Sequence, residues 1–190
     1  MRVERLSGEF EVEFDPCAFD LKPGMPPEGL SREQVYAGRV YPEGYIDNMR
    51  QIAADSGVDM KRPPVIPNTR KAHEATEFAR EFGDLAAFHR AVFHAYWTEE
   101  RNIGDVDVLC DVASSCGLDP EGLREALADG RYAGAVEGQM TWSRAVGVTG
   151  VPTVIFDDRF AVVGAQDYEV FVDVARRVVA QRGTKSEDSR

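Results

Sequence analysis

The sequence predicts an α/β protein, with strand-forming segments near the two ends of the chain and an all-helical stretch between them. Three observations carry this. Residues 153–163 read as strand, tight turn, strand: Thr153 to Phe156 is β-branched and aromatic, Asp157-Asp158 is turn chemistry, and Phe160 to Val163 is apolar again. Residues 9–14 alternate acidic with apolar (Glu9, Glu11, Glu13 against Phe10, Val12, Phe14), the pattern of a half-buried strand. From Ser31 to Val146, apolar residues recur at helical spacing, with caps and stops at short intervals.

Taken in order, Met1 to Gly8 has the character of a helix tail: Val3 and Leu6 are spaced for one face, and Gly8 suits a stop. Asp15-Pro16 interrupts the alternating strand, and Cys17-Ala18-Phe19 continues it as an extended segment. Leu21 to Gly29 holds Lys-Pro-Gly-Met-Pro-Pro-Glu-Gly, a stiff loop that cannot be helix. Tyr45 to Ser56 is the first helical candidate, and Arg62 to Pro67 is extended. Asn68 is the expected cap of a helix whose apolar face is Ala72, Ala75, Phe78 and Ala79, ended by Gly83. Asp84 opens the next helix, with Leu85, Phe88, Val92, Phe93 and Tyr96. Asp105 caps Val106 to Cys116, and Gly117-Leu118 has the form of a Schellman stop. Asp119-Pro120 is a cap followed by proline at the first helical position, opening a helix to Ala128. Asp129-Gly130 separates it from Tyr132 to Ala145. Such short connections pack helix pairs antiparallel. The closing helix begins at Asp167 with Tyr168, Phe171, Val172, Val174, Ala175, Val178 and Val179 apolar, and the polar residues 183–190 read as a flexible tail.

Composition excludes several classes of function. The formal net charge of −11 argues against nucleic acid as a partner, because phosphate binding needs a basic face. No apolar run reaches the length of a membrane span, and the N-terminus has no signal-peptide core, so neither a membrane partner nor export is expected and the reading is cytoplasmic. The three cysteines, Cys17, Cys110 and Cys116, are too few and too scattered for a disulfide framework. Cys110 and Cys116 share a helix, separated by a rise of about 9 Å, beyond disulfide reach. All three read as small buried apolar residues. His73, His89 and His94 have no telling acidic or nucleophilic neighbour, so they read as surface or core-edge residues, and no metal site is expected. Phe88, Phe93, Tyr96, Trp97 and Trp142 read most simply as core, with a groove lining at the subdomain boundary as the alternative.

The functional candidate is Gly147-Val148-Thr149-Gly150-Val151-Pro152-Thr153, followed after the hairpin by Gly164-Ala165-Gln166. Pro152 at a strand start costs no central ladder bond. It leaves the N–H and C=O of the preceding residue able to pair with an extended peptide. Gly164-Ala165-Gln166 precedes a helix N-terminus, which favours an anionic group.

The string Gly-Val-x-Gly-Val-Pro-Thr, strand, two-Asp turn, strand and Gly-Ala-Gln resembles the C-terminal half of DsbA-type thioredoxin folds, above all the FrnE-like branch. Phe19-Asp20-Leu21-Lys22-Pro23, Pro27-Glu28-Gly29, Asn68-Thr69 with Ala72-His73, His89-Arg90-Ala91 through Trp97, and Asn102-Ile103-Gly104-Asp105 extend the likeness across most of the chain. The resemblance implies a thioredoxin-like domain from residues 1–30 and 147–182, with an inserted helical subdomain at 31–146. It implies a cis Val151-Pro152 bond, Val151 as the backbone contact for a thiol or disulfide substrate (peptide or small molecule), and Pro152 shaping the site. It also implies that the family's first strand and most of its first helix, which carries a Cys-x-x-Cys, precede residue 1. No Cys-x-x-Cys occurs in these 190 residues, so no catalytic residue is named.

Three expectations follow from the resemblance. One is a thiol–disulfide oxidoreductase whose dithiol is encoded upstream of a truncated or mis-started chain; the second is a non-catalytic thioredoxin-fold binding protein. The third is a glutathione-dependent isomerase or transferase, akin to the 2-hydroxychromene-2-carboxylate isomerases and kappa-class glutathione transferases. Those relatives hold glutathione near the position of Gly164, Ala165 and Gln166, but with a polar or acidic pair from which Ala165-Gln166 departs. A sheet lacking its interior strand would present an open edge, which a homodimer or a strand rearrangement would close.

Overall fold

The computed structural model describes residues 5–55 and 57–187. The chain divides into two compact units: Met1–Leu21 together with Thr141–Arg190, and Lys22–Met140.

The 22–140 unit opens with a short antiparallel ladder, β1 (Leu30–Ser31) against β2 (Val65–Ile66), in register Leu30↔Ile66. The extended reading of 62–67 is correct, but its partner strand is not evident in the sequence because two residues carry no periodicity. Gly29 is what brings the strands together. Its φ is +76°, and a Cβ there would lie 2.6 Å from the Ile66 carbonyl oxygen. Ser31 then starts α1 (Arg32–Tyr36) through a capping box with Gln34. α2 (Tyr45–Asp55) follows and buries none of its residues; Ser56, its expected end, lies outside the described residues.

The core of this unit is built by α3 (Arg70–Phe82), α4 (Leu85–Trp97), α5 (Val106–Ser115) and α6 (Pro120–Asp129), with α7 (Ala133–Ala145) after them. Ala75 and Ala79 on α3, Phe88 on α4, Leu109 on α5, and Leu123 and Ala126 on α6 are all fully buried. The expected caps form. Asp84, Asp105 and Asp119 each accept a first-turn N–H, and Pro120 takes the first helical position. Leu118 N donates to Ala113 O and Gly117 N to Ser114 O, completing the Schellman motif while Leu118 enters the core. At α3 the boundary residue is Thr69, with no side-chain cap, whereas Asn68 accepts from Arg70 N at 3.0 Å and donates to Met25 O at 2.7 Å. Asn68 thus caps the helix and also pins the preceding loop.

Buried charge is paired throughout. Glu74, 2 % exposed, takes the Lys71 ammonium at 3.1 Å, and that ammonium also donates to Leu127 O at 2.6 Å. Glu77 accepts from Arg80 and from Gln139 Nε2. Burial, joined by the hydrogen bond to Glu81 at 2.6 Å, pushes the Tyr132 phenol up to about 12. Among the described residues no buried side-chain polar atom lacks a partner.

The other unit centres on a hairpin and one long helix. β3 (Thr153–Phe156) pairs antiparallel with β4 (Phe160–Val163), with Thr153↔Val163 and Phe156↔Phe160 opposite one another. Asp157 and Asp158 both have φ of 53° in the three-residue connection 157–159, and Arg159 N donates to Phe156 O. α8 (Tyr168–Glu187) lays Tyr168, Phe171, Val172 and Ala175 against Val162, Val154 and Phe156. It runs to Glu187, past the residue-182 boundary that composition suggested; residues 188–190 lie outside the described set. Arg182 bonds Asp157, and Arg159 reaches Gln181, so the helix is tied to the hairpin turn. Leu6, 2 % exposed, joins this core, and Phe10 N closes on Leu6 O. Arg5 and Leu6 are therefore the described end of the expected N-terminal helix tail, whose residues 1–4 lie outside the described set. Tyr168 Oη donates to Glu9 at 2.8 Å, and the Arg5 guanidinium lies 3.9 Å from the Tyr168 ring centre.

Three sequence expectations need correction. Residues 10–14 form no strand, and Val12 and Phe14 are 36 % and 44 % exposed. Alternation supplies a face, but a strand also needs a ladder partner. Of the cysteines only Cys110 is buried; Cys116 is half-buried and Cys17 is exposed on that same irregular segment. Phe93 and Trp142 are not core but 51 % and 39 % exposed. On α4 the buried face is already filled by Phe88, Val92, Ala95 and Tyr96, and Phe93 is turned about one residue's rotation away, its ring tilted against that of His89.

Candidate functional site

The structure brings together all five residues singled out in the sequence. α7 closes with Gly147 N on Arg144 O and Val148 N on Ser143 O, releasing the chain at Thr149. Gly150 is held by Thr153, whose hydroxyl donates to Gly150 O at 2.7 Å. The Val151-Pro152 bond is cis, and Val151 is 54 % exposed. Beyond the last ladder pair, Thr153↔Val163, the same register continues one step: Gly164 N donates to Pro152 O at 2.8 Å. Gly164 takes φ of +84° to do so. The Val151-Pro152 loop and the Gly164-Ala165-Gln166 turn are therefore neighbours across one hairpin end.

Two details were not read from the sequence. The Thr153 hydroxyl bond to Gly150 was signalled only by a Thr three residues after a Gly. The Gly164–Pro152 bond could have been found by counting outward from the two-Asp turn, since a fixed hairpin register determines every opposing pair. Gln166 makes two local hydrogen bonds at this turn. Its Nε2 donates to Val163 O at 2.9 Å, and its own N–H closes on Gly164 O at 2.9 Å. Its Nε2 and backbone N–H are thus engaged locally at the hairpin end.

What remains open is backbone. Among the described residues neither the Val151 N–H nor its C=O makes a hydrogen bond, and the residue lies in a bend just before the strand, more than half exposed. That is the hydrogen-bonding equipment for adding one short extended segment. Residues 147–153 carry no acid, base or thiol, so the loop can bind and orient but cannot itself attack. Nor does a thiol activated for attack appear at Cys110, whose burial raises its pKa, the reverse of what a nucleophilic thiolate needs. Cys116 Sγ lies 3.9 Å from Ser115 Oγ. Among the described residues no group of three His, Cys, Asp or Glu side chains could hold a metal, and no helix is long and apolar enough to cross a membrane.

Asp157 lies at the far end of the hairpin. The hydrogen bond from Arg182, then the charges of Arg182 and Arg159, lower its pKa. The helical histidines have ordinary structural company: His94 faces Glu99 at 3.3 Å, and His73 lies 3.4 Å from the Thr69 hydroxyl.

Comparison with known proteins agrees with this architecture. The DsbA-like thioredoxin domain matches residues 1–175. The uncharacterised protein YwbO of Bacillus subtilis (strain 168) is 29 % identical over 176 residues, covering 88 % of this chain and 82 % of that protein. The crystal structure of a probable DsbA oxidoreductase from Streptomyces coelicolor superposes with a TM-score of 0.86 at 28 % identity, covering 94 % of this chain and 82 % of the other. A 2-hydroxychromene-2-carboxylate isomerase superposes with a TM-score of 0.71 over 96 % of this chain and 89 % of its own, at 19 % identity, a likeness of fold alone. With a family match that runs from residue 1 through the hairpin and into α8, the chain belongs to the DsbA-like thioredoxin domain family.

Proposed function

We propose that Val151 and Pro152, buttressed by Gly164, Ala165 and Gln166, form the substrate-holding part of a thiol–disulfide exchange site. The observation that carries this reading is the Val151 backbone, whose N–H and C=O have no partner among the described residues while Pro152 O is fixed by Gly164 N. A substrate segment that lies extended beside Val151 gains one or two backbone hydrogen bonds, each worth about 0.5–1.5 kcal/mol net. The bonds hold a cysteine of the substrate in one orientation while leaving its sulfur untouched. Because these bonds use only backbone, peptide sequence matters little and thiol position matters a good deal.

The proposed chemistry is exchange: a thiolate attacks a disulfide sulfur, a mixed disulfide forms, and the departing sulfur leaves as thiolate. Residues 1–190 contain no Cys-x-x-Cys, so the function assigned to this sequence is the holding step. It is expected to bind a cysteine-containing extended peptide and not to reduce a disulfide.

Amide-resolved NMR tests this directly. Titration with an extended cysteinyl peptide is expected to shift the Val151 and Gly164 amides saturably, and a Val151→Pro variant, lacking that N–H, is expected to bind about two- to tenfold more weakly. Absence of any shift at millimolar peptide would sink the reading. Reduced glutathione run in parallel separates general thiol binding from a glutathione site: a glutathione site predicts tighter binding of glutathione than of the peptide. Disulfide reductase activity abolished by Cys17→Ser would overturn the assignment of a holding step alone.

A further inference from the structure

We infer that the 22–140 unit carries a second, separate docking surface, built on α2 and the tyrosines before it, for an acidic amphipathic helix of a partner protein. The inference is independent of the Val151-Pro152 site and rests on two observations of different kinds.

The first is apolar. α2 packs against no other helix or strand among the described residues and buries none of its side chains. Yet it is patterned for burial: Tyr45, Met49 and Ile52 fall at i, i+4 and i+7 and stand 43 %, 38 % and 39 % exposed. A helix of 11 residues is too short to be stable through propensity alone, so such a stripe needs something to cover it.

The second is electrostatic. Tyr45 stacks on Tyr41 with centroids 5.1 Å apart, and Tyr41 meets the Tyr36 ring edgewise at 6.4 Å. Around Tyr36 three cations converge: Lys22 Nζ at 5.3 Å, and the Arg32 and Arg39 guanidinium carbons at 5.6 Å each. Neither Arg32 nor Arg39 reaches a carboxylate among the described residues, although the chain has 33 acidic side chains against 22 basic ones. In so acidic a protein, two arginines left without carboxylates at one end of an exposed apolar stripe favour an anionic ligand. Arg32 Nε is occupied by Pro63 O at 2.8 Å, which fixes the guanidinium while leaving its outer nitrogens available.

These features define the occupant. Its apolar side chains lie along Tyr45, Met49 and Ile52, and its carboxylates lie at the Tyr36 end, beyond the N-terminus of α2. An amphipathic helix with an acidic cluster at one end has that shape. The overall charge of −11 repels such a ligand at long range, so the attraction is a contact effect within about one Debye length.

The test uses a fluorescein-labelled amphipathic peptide of Leu, Ala and Glu with its glutamates clustered at one end, a twin with Gln for Glu, and anisotropy titration against the whole chain. Saturable binding is expected for the Glu peptide, and at least about tenfold weaker binding for the Gln twin. Binding of the Glu peptide is also expected to weaken about tenfold or more in the double variant Lys22→Gln/Arg39→Glu, which changes a half-buried and an exposed side chain, and in Met49→Glu; both variants keep the helical circular dichroism. No binding, equal binding of the two peptides, or unchanged binding by either variant would overturn the inference. So would sedimentation showing that the protein alone forms dimers that Met49→Glu dissolves, which would make a second copy of the chain the occupant.

Discussion

Substituting Gly164 by alanine isolates the one backbone feature on which the hairpin-end site depends. Gly164 sits at φ of +84° and donates to Pro152 O at 2.8 Å. A Cβ added there would meet nothing closer than Gln166 Nε2 at 3.7 Å, an ordinary contact, so the substitution carries no steric clash. The cost is conformational, about 1–2 kcal/mol for an L side chain in the left-handed region. The chain can escape it only by rotating φ and giving up the bond to Pro152, worth about 0.5–1.5 kcal/mol. The two routes together bracket the loss of stability at roughly 0.5–2 kcal/mol. Urea unfolding followed by far-ultraviolet circular dichroism measures it, and the Val151 amide resonance reports whether the loop has been released. Gly164→Asn should lose clearly less, since asparagine tolerates positive φ. Gly29→Ala should lose more, because its Cβ would lie 2.6 Å from the Ile66 carbonyl oxygen and a steric term adds to the conformational one. If Gly164→Ala loses under about 0.5 kcal/mol, or if the Asn and Ala variants lose the same, then positive φ is not what holds Gly164 in place.

Leu123→Ala removes a fully buried side chain from the centre of the helical unit and should cost about 2–5 kcal/mol in the same unfolding experiment; under 1 kcal/mol would mean the site collapses around the void. Tyr132, with its folded pKa raised to about 12, contributes stability that is intact below the ordinary phenol value of 10.0 and is lost as pH rises toward 12. Alkaline absorbance titration should therefore show a late tyrosine step that Tyr132→Phe removes. Asp157, its pKa lowered chiefly by the Arg182 hydrogen bond, contributes stability present above the ordinary carboxyl value of 3.8 and lost as pH falls through its depressed folded value. Asp157→Asn keeps a residue suited to positive φ, so its deficit at neutral pH should shrink to nothing in acid; a deficit independent of pH would assign the loss to turn geometry.

Much of the fold could be read because its determinants are local. Asp105, Gly117-Leu118 and Asp119-Pro120 each satisfy helix-end groups within a few residues, so sequence alone placed α5 and the start of α6. The two-Asp turn did the same for β3 and β4, since both aspartates take the positive φ that a tight hairpin demands. The misreadings share a different origin. Val12 and Phe14 alternate correctly, yet strand formation is decided by a partner that the pattern does not specify. Leu30-Ser31 and Val65-Ile66 form a ladder too short to have a period, and the clue lay instead in Gly29, whose missing Cβ lets the two backbones meet. Phe93 and Trp142 were assigned inward on hydrophobicity alone, which says nothing about which face of a helix is already filled.

The candidate site was legible for a related reason, and only in part. Its unpaired groups are the N–H and C=O of Val151, which every non-proline residue possesses, so no residue type announces them. What the sequence does record is the means of leaving them unpaired: a proline next in line, a threonine whose hydroxyl holds Gly150, and a glycine that can donate to Pro152 from positive φ. Each of these fixes the backbone on one side of Val151 and none of them touches its amide. The hairpin register then sets Gly164 across from Pro152, so site and fold depend on the same turn. A change at Asp157-Asp158 that slipped the register by one residue would both flip the apolar face of β4 away from Phe171 and separate Gly164 from Pro152. Loss of the core contact and loss of the site should consequently appear together in turn variants, whereas changes at Gly164 should disturb the site alone.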